Sequence, residues 1–383
     1  MIAITNGKVL TITRGTIENG TVLIKGEKII EIGREVKIPE DAEIIDAKSK
    51  FVLPGFVDAH THLGIYEEGV GEGGEDTNEN VEPITPELRA LDGINPNDLG
   101  FRDAIEAGIT TCLVEPGSAN VIGGTACVIK TYGNIIDEMV IRKEAGIKIA
   151  LGENPKRVYK GKDKSPATRM GIMALLRNTF VETENYMNKQ DKERKIKFEV
   201  LSRLLKKEIP AHIHAHRSDD LMTGIRVASE FGLKAVLVHC TEGYKIVEEI
   251  KKREIPVCIG PLFLSRSKIE LKERSLETPG ILSRAGIKVA ITSDHPILPI
   301  QFLPLSAGIA VREGMDADES LKAITINASE ILGVDDRIGS IEVGKDADLV
   351  ILSHHPFEIQ SKVEMVIVNG KVVYKRNESQ RCL

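Results

Sequence analysis

The alternation of apolar and polar segments divides the chain into two kinds of region. Residues 1–52 and 336–383 contain short apolar runs separated by Gly-, Glu- and Asn-containing turns, which is typical of short strands in an antiparallel sheet. Asn369-Gly370 stands between two such runs and is the strongest short signal of a hairpin. The two chain ends therefore predict one small, sandwich-like β-sheet domain.

Between these ends, apolar runs alternate with helical segments, which favours βα units and a parallel sheet. Eight runs are predicted as strands, at residues 56–62, 110–115, 126–132, 147–152, 211–216, 235–240, 257–260 and 289–294. Helices are predicted at residues 97–107, 220–231, 243–252 and 318–332, with a longer helical insertion at 168–207. The pattern predicts an α/β protein with a (β/α)8 barrel of the TIM type over residues 53–335.

Histidines are concentrated in the predicted barrel strands. Six of the nine lie in strands one, five and six, namely His60, His62, His212, His214, His216 and His239. Strand eight ends in Asp294. Residues two apart on a strand face the same side, so both histidines of strand one could reach one ion. That spacing alone is equally compatible with an ordinary strand. It favours a metal site here because reacting groups in such barrels lie at the carboxyl ends of strands.

Neutral imidazoles combined with a carboxylate are the ligand set preferred by zinc and related divalent ions. A bound cation lowers the pKa of water towards neutrality, while a nearby Asp can accept the proton. Strand five presents three imidazoles on one face, at His212, His214 and His216, and they cannot all bind metal. The pattern itself does not decide among them.

Charge and composition exclude several function classes. The net charge is −6 and the pI is about 5.9, with acidic and basic residues interspersed, so we expect no nucleic-acid partner. Because the N-terminus lacks the features of a signal peptide and no long apolar run occurs, we expect a cytoplasmic protein without a membrane partner. The five cysteines show no Cys-x-x-Cys spacing and suit reduced, mostly buried thiols.

Four motifs in the predicted order resemble those of the amidohydrolase superfamily. They are Pro54-Gly55-Phe56-Val57-Asp58-Ala59-His60-Thr61-His62 in strand one, His214 in strand five, His239 in strand six and Ser293-Asp294 in strand eight. Residues 339–350 resemble the link by which these enzymes return from barrel to sheet domain, so the resemblance covers nearly the whole chain. The pattern His-Ala-His in strand five is similar to that of imidazolonepropionase-like and metal-dependent dipeptidase-like members.

The resemblance implies a ligand set. One divalent ion, most suitably zinc, would be held by His60, His62 and Asp294, and a second ion, if there is one, by His214 and His239. In the same comparison His216 would contact the substrate and His212 would support the core.

A dinuclear site also needs a bridging anion from strand three or four. Glu153 resembles the bridging glutamate of adenine deaminases, and Lys148 resembles the carboxylated lysine of metal-dependent dipeptidases. The two alternate in strand parity, so they should not both face the metals. We favour Glu153 as the metal ligand because it lies at the end of the strand. Lys130 is a weaker candidate, and Glu115 is expected in a supporting or loop position.

These expectations describe a metal-dependent hydrolase of an amide, cyclic amide or amidine C–N bond in a small non-peptide or dipeptide-like molecule. Asp294 would take a proton from water and return it to the leaving nitrogen. One alternative is a mononuclear imidazolonepropionase-like ring hydrolase or deaminase. Another is a non-catalytic relative that binds or assembles, which should have lost ligands. A homo-oligomer is left open.

Overall fold

The computed structural model describes residues 1–377, and its strands form two eight-stranded sheets. The terminal sheet contains strands from both chain ends: β1 Ile2–Leu10, β2 Thr16–Lys25, β3 Lys28–Gly33, β4 Glu43–Asp46, β5 Phe51–Pro54, β14 Leu349–Leu352, β15 Val363–Val368 and β16 Lys371–Lys375. The barrel sheet contains β6 Phe56–Thr61, β7 Ile109–Val114, β8 Ile122–Lys130, β9 Val140–Ala150, β10 Ala211–Ala215, β11 Ala235–His239, β12 Val257–Ile259 and β13 Val289–Ile291.

Helices lie between and after the barrel strands, as the sequence predicts. They are α1 Leu99–Glu106, α2 Ile136–Met139, α3 Glu153–Lys160, α4 Arg169–Asn188, α5 Ile196–Leu205, α6 Ser218–Glu230, α7 Val247–Lys252, α8 Thr278–Arg284, α9 Leu303–Arg312, α10 Ala317–Ala323 and α11 Ile326–Leu332. The predicted insertion at 168–207 is the pair α4 and α5, and the predicted helix at 318–332 is divided into α10 and α11.

The terminal sheet is mixed, so the expectation of a purely antiparallel sheet is wrong. Strand β1 pairs antiparallel with β2 but parallel with both β4 and β5. Strands β4 and β5 follow one another along the same edge of β1, because the turn between them contains Lys48 and Ser49 with positive φ values of 51° and 60°. The proposed domain division at residues 52 and 336 stays a prediction, and β5 itself runs to Pro54.

The barrel prediction is confirmed, with one departure in strand direction. Strands β6 to β13 are neighbours in chain order, and hydrogen bonds from Asp294 N to His60 O and from His62 N to His295 O connect the last strand to the first. Strand β8, however, is antiparallel to both β7 and β9. Only residues 115–121 connect β7 to β8, and such a short link cannot make the crossover that parallel neighbours require.

The barrel strands are buried on both faces, which explains their continuous apolar sequences. The cysteines of the described residues, Cys112, Cys127, Cys240 and Cys258, are free and buried, as expected, whereas Cys382 lies outside those residues. Among the helices of residues 1–377, not one combines the length and apolar composition that crossing a bilayer requires.

Candidate metal centre

Side chains from the carboxyl ends of four barrel strands converge inside the barrel mouth. They are His60 in β6 and His62 just after it, His214 in β10 and His216 just after it, His239 at the end of β11, and Asp294 after β13. Ligand atoms of His60, His239 and Asp294 lie within 4.8 Å of one another, and so do those of His214, His216 and His239. His239 belongs to both groups, so the two groups form one continuous cluster of buried donors.

One carboxylate oxygen of Asp294 faces both histidines of β6. Its Oδ1 lies 2.9 Å from His60 Nε2 and 3.4 Å from His62 Nε2. Burial raises the pKa of Asp294, but the neighbouring His239, His60 and His62 side chains outweigh burial and hold that pKa well below its usual range. Asp294 is therefore an ionised carboxylate inside the barrel.

Two imidazoles are oriented by backbone carbonyl groups. His62 Nδ1 donates to Glu115 O at 2.7 Å, and His239 Nδ1 donates to Gly260 O at 2.7 Å. Because a carbonyl oxygen only accepts, the proton is on Nδ1 and Nε2 is left available to a cation. Histidines that bind metals in proteins are commonly held in this way by their second nitrogen.

His214 and His216 also leave one buried nitrogen each without a hydrogen-bond partner in the described part of the chain. His216 Nδ1 lies 2.7 Å from Thr241 Oγ1, and its Nε2 has no partner. His214 is oriented the other way, with Nε2 3.4 Å from Asn154 Nδ2 and Nδ1 without a partner. Buried polar atoms are nearly always paired, so these nitrogens fit a site completed by a cation.

The protonation of these histidines also suits a cation. Burial is the main cause that lowers the pKa of His214 and of His216 well below the usual value, and the neighbouring His239 lowers both further. Burial likewise lowers the pKa of His239 to about 3, despite the opposing effect of Asp294. All three are neutral imidazoles at neutral pH, which is the form that binds metal.

Glu115, at the end of the second predicted strand, contacts histidines of this cluster from the barrel interior. Its Oε1 lies 2.6 Å from His60 Nδ1 and 2.7 Å from Lys148 Nζ, and its Oε2 lies 2.8 Å from His212 Nδ1. Burial raises the pKa of Glu115, but the charges of Lys148, His60 and His212 outweigh it and hold the pKa well below the ordinary value. Glu115 is thus a buried anion that fixes two imidazoles and one ammonium group.

Glu153 and Lys148, the two candidate bridging groups, lie in different environments. Strand β9 ends at Ala150, and Gly152 with a φ of 80° turns the chain so that Glu153 opens α3. The backbone N–H of Glu153 donates to Glu270, and Glu153 belongs to neither group of candidate ligands. Lys148 stays inside β9 and is fully buried. The strand-parity argument that compared it with Glu153 does not apply, because strand alternation extends only to the end of β9.

Lys130, the weaker candidate, lies at the opposite end of the barrel. Since β8 runs antiparallel, its last residue is paired with Thr111 near the start of β7. There Lys130 Nζ contacts Asp348 and lies 3.1 Å from Asp346 Oδ2. It is an ion-pair residue between the barrel and the terminal sheet.

Three supporting residues escaped the sequence analysis. Asp58 accepts hydrogen bonds from Thr292 Oγ1 and from Ser293 N, and it thereby fixes β6 to β13 beside Asp294. Gly146 leaves room for the His212 ring, since a Cβ there would lie 2.6 Å from Nε2. Asn154 contacts His214. Asp58 lies inside the recognised motif, but no local pattern identifies Gly146 or Asn154.

A sequence profile of the amidohydrolase family matches residues 51–373. The chain therefore belongs to the amidohydrolase family and is a metal-dependent hydrolase that acts on carbon–nitrogen bonds, as the motifs predict.

Individual relatives agree with this assignment. An amidohydrolase structure from Thermotoga maritima MSB8 is 44% identical with a TM-score of 0.95, covering 98% of this chain and all of that one. Amidohydrolase tasK of Hapsidospora irregularis is 28% identical over 92% of this chain, which spans 39% of the length of tasK. An imidazolonepropionase of Clostridium tetani is 26% identical, with 94% of this chain and 92% of that protein covered.

Proposed function

We propose that this protein hydrolyses an amide, cyclic amide or amidine C–N bond in a small molecule, using one or two divalent ions, most suitably zinc. The observation that carries the proposal is a pair of buried donor groups that share His239: the ligand atoms of His60, His239 and Asp294 lie within 4.8 Å of one another, and so do those of His214, His216 and His239. Nitrogen donors together with a carboxylate are the set that zinc prefers in catalytic sites.

In the proposed site, His60, His62 and Asp294 hold the first ion, and His214 and His239 hold a second ion if one binds. The rings of His62 and His239, held at Nδ1 by backbone carbonyl groups, and the unpartnered Nδ1 of His214 support these roles. We leave Glu153 out of the set, because it begins α3 and its carboxylate belongs to neither group of donors.

When bound there, a divalent cation would lower the pKa of a water molecule and polarise the substrate oxygen or nitrogen at the carbon that is attacked. The protein groups then supply orientation and proton transfer. Asp294 accepts the proton of the attacking water and returns it to the leaving nitrogen. His216, anchored at Nδ1 by Thr241, directs its unpartnered Nε2 into the same cluster, where it contacts the polar group of the substrate.

A specific contact favours a second candidate, a mononuclear ring hydrolase or deaminase. Lys148 Nζ lies 2.7 Å from Glu115 Oε1, and both side chains are fully buried. If Lys148 were carboxylated, it would become an anion beside another buried anion, which is unfavourable in a medium of low dielectric constant. Without a bridging anion from strand four, one ion is favoured over two.

The test combines metal analysis with a substrate screen of the full-length, zinc-loaded protein. About two equivalents of metal support the dinuclear site, about one supports the mononuclear site, and none supports a non-catalytic binding protein. N-acyl amino acids, dipeptides, cyclic ureides and imidazolones are the compounds to screen.

The decisive variant is Asp294→Asn, with Asp41→Asn, an exposed aspartate of the terminal sheet region, as the matched control. We expect Asp294→Asn to lower kcat by about 100-fold or more while the control stays at the wild-type rate. Unchanged hydrolysis in Asp294→Asn would refute the assigned base, and hydrolysis by metal-free protein would refute the metal mechanism.

A further inference from the structure

A basic pocket lies just outside the metal centre, beyond the carboxyl ends of β9 and β10. Its volume is about 630 Å³, and five cationic side chains line it against one carboxylate, Glu153: Lys156, Arg157, Lys160, Arg169 and Arg217. The chain as a whole has a net charge of −6, so this concentration of positive charge is a local feature.

Only part of this positive charge is neutralised by the protein. Arg169 is paired with Asp220 at 2.8 Å, and Arg217 is paired with Asp219 at 2.8 Å. The three cations of α3 have no ion-pair partner in residues 1–377: Lys156, Arg157 and Lys160. Glu153 offsets one of these charges at most. The pocket therefore keeps a net positive charge that an anionic ligand could neutralise.

Like charges within α3 repel one another. Lys156 and Lys160 are four residues apart, a spacing at which like charges destabilise a helix. Glu153 lies one turn before Arg157 on α3, but the two form no ion pair, whereas Arg89 pairs with Asp92 and Arg253 pairs with Glu249. A guanidinium group with nearby ammonium groups is the arrangement that binds carboxylate or phosphate oxygens.

A series of side-chain contacts connects this pocket to the metal centre. Arg169 Nη2 lies 3.9 Å from Glu270 Oε1, and Lys268 Nζ lies 3.5 Å from Glu270 Oε2. Lys268 Nζ also lies 3.4 Å from Asn154 Oδ1, and Asn154 Nδ2 lies 3.4 Å from His214 Nε2. The pocket and the metal centre are therefore close neighbours, separated by the side chains of Glu270, Lys268 and Asn154.

We infer that the basic pocket binds an oxyanionic group, a carboxylate or a phosphate, carried by the substrate. The assignment to the substrate rests on the proposed hydrolase function, whereas binding of the oxyanion itself requires no turnover. Arg157 and Lys160 are the residues to test, because both are exposed on α3 and neither is in the set of proposed metal ligands.

The first experiment measures binding of inorganic phosphate and of acetate to zinc-loaded, full-length protein by calorimetry at constant ionic strength. The pocket variant is Arg157→Gln/Lys160→Gln, and the matched control is Lys251→Gln/Lys252→Gln, which removes two exposed charges from α7. We expect the pocket variant to bind at least one of the anions about tenfold more weakly than the wild type and the control. Anions that bind the metal itself would bind equally in all three proteins, so equal affinities would overturn the inference.

The second experiment compares a hydrolysed anionic substrate with its neutral carboxamide or dephosphorylated counterpart. We expect Arg157→Gln/Lys160→Gln to raise KM about tenfold for the anionic compound, to leave kcat unchanged, and to leave the neutral compound unaffected. Equal KM changes for both compounds would overturn the pocket inference while leaving the hydrolase function intact. Pocket-dependent anion binding without hydrolysis of any C–N compound would instead contradict the proposed function.

Discussion

Lys148 and Glu115 form an ion pair inside the barrel, with Nζ 2.7 Å from Oε1 and side chains that are 1% and 0% exposed. The same carboxylate lies against His60 and His212, so the pair connects β9 and the end of β7 to the histidines of β6 and β10. The candidate metal centre therefore lies against a buried charge network formed by Glu115, Lys148 and His212.

Replacing Lys148 should test this dependence. In Lys148→Met, Glu115 keeps a buried negative charge without its ammonium partner, and we expect the free energy of unfolding to fall by about 3 kcal/mol. The exposed pair of Lys322 and Glu319 provides the control, since Lys322→Met should cost less than about 1 kcal/mol. Urea unfolding measures both. A Lys148→Met variant as stable as the wild type would show that the pair contributes nothing.

Metal binding should release a proton from His60. Burial and Lys148 lower the pKa of His60, but the carboxylates of Glu115 and Asp294 outweigh them and raise it above 6.5 in the metal-free protein. Because a protonated imidazole cannot bind metal, zinc affinity should increase as the pH rises through this raised pKa. His239, with a pKa of about 3, should contribute nothing between about pH 5 and pH 8.

Calorimetric titration of zinc into metal-free protein, in two buffers of different ionisation enthalpy, measures that proton release. The observed enthalpy should differ between buffers for the wild type, and the difference should shrink in His60→Gln. Identical enthalpies in both buffers for the wild type would contradict the assignment of the proton to His60.

The contact between Lys130 and Asp346 should make stability dependent on pH. Burial raises the pKa of Asp346, but Lys130, Lys28 and Arg337 outweigh it and lower the pKa below 3.8. A lowered carboxyl pKa means that the stabilisation is present above 3.8 and is lost as the pH falls through the folded value. Lys130→Met should therefore cost about 3 kcal/mol at neutral pH and clearly less at about pH 3.

Lys28→Met is the matched control for this prediction, because Lys28 contacts the same Asp346 at 2.7 Å but is 47% exposed. Its expected cost is below about 1 kcal/mol at neutral pH. Denaturant unfolding at both pH values gives the comparison. A cost of Lys130→Met that does not change with pH would indicate lost packing rather than lost charge pairing.

His216 should act on the substrate rather than on metal retention. His216 belongs to the donor group that shares His239, but in the ligand set that we propose its unpartnered Nε2 contacts the substrate. We expect His216→Ala to keep its metal content and to lower kcat/KM by about 10- to 100-fold, which is the effect of losing one hydrogen bond to a polar group. His354→Ala, at an exposed histidine of the terminal sheet region, should behave like the wild type. Loss of metal in His216→Ala would place it among the ligands instead.

The sequence alone determined the fold class and the strands that carry the chemistry. The apolar runs that end in His60, His62, His214, His239 and Asp294 predicted barrel strands and converging donors, because the carboxyl ends of such strands meet at one mouth. The family resemblance was carried by the same residues. These features are local, since each depends on a run of residues and on which side of a strand a residue faces.

The tertiary structure alone decided the features that depend on contacts between distant segments. The antiparallel direction of β8 follows from pairing with both neighbours, and the burial of Glu115 follows from the meeting of β6, β7, β9 and β10. Glu153 begins α3 because Gly152, with its positive φ, ends the strand alternation, and the basic pocket arises only where α3, Arg169 and Arg217 come together. Strand pairing, burial and the local electric field are each set by the residues that surround a position in space, and no pattern along the chain specifies those neighbours.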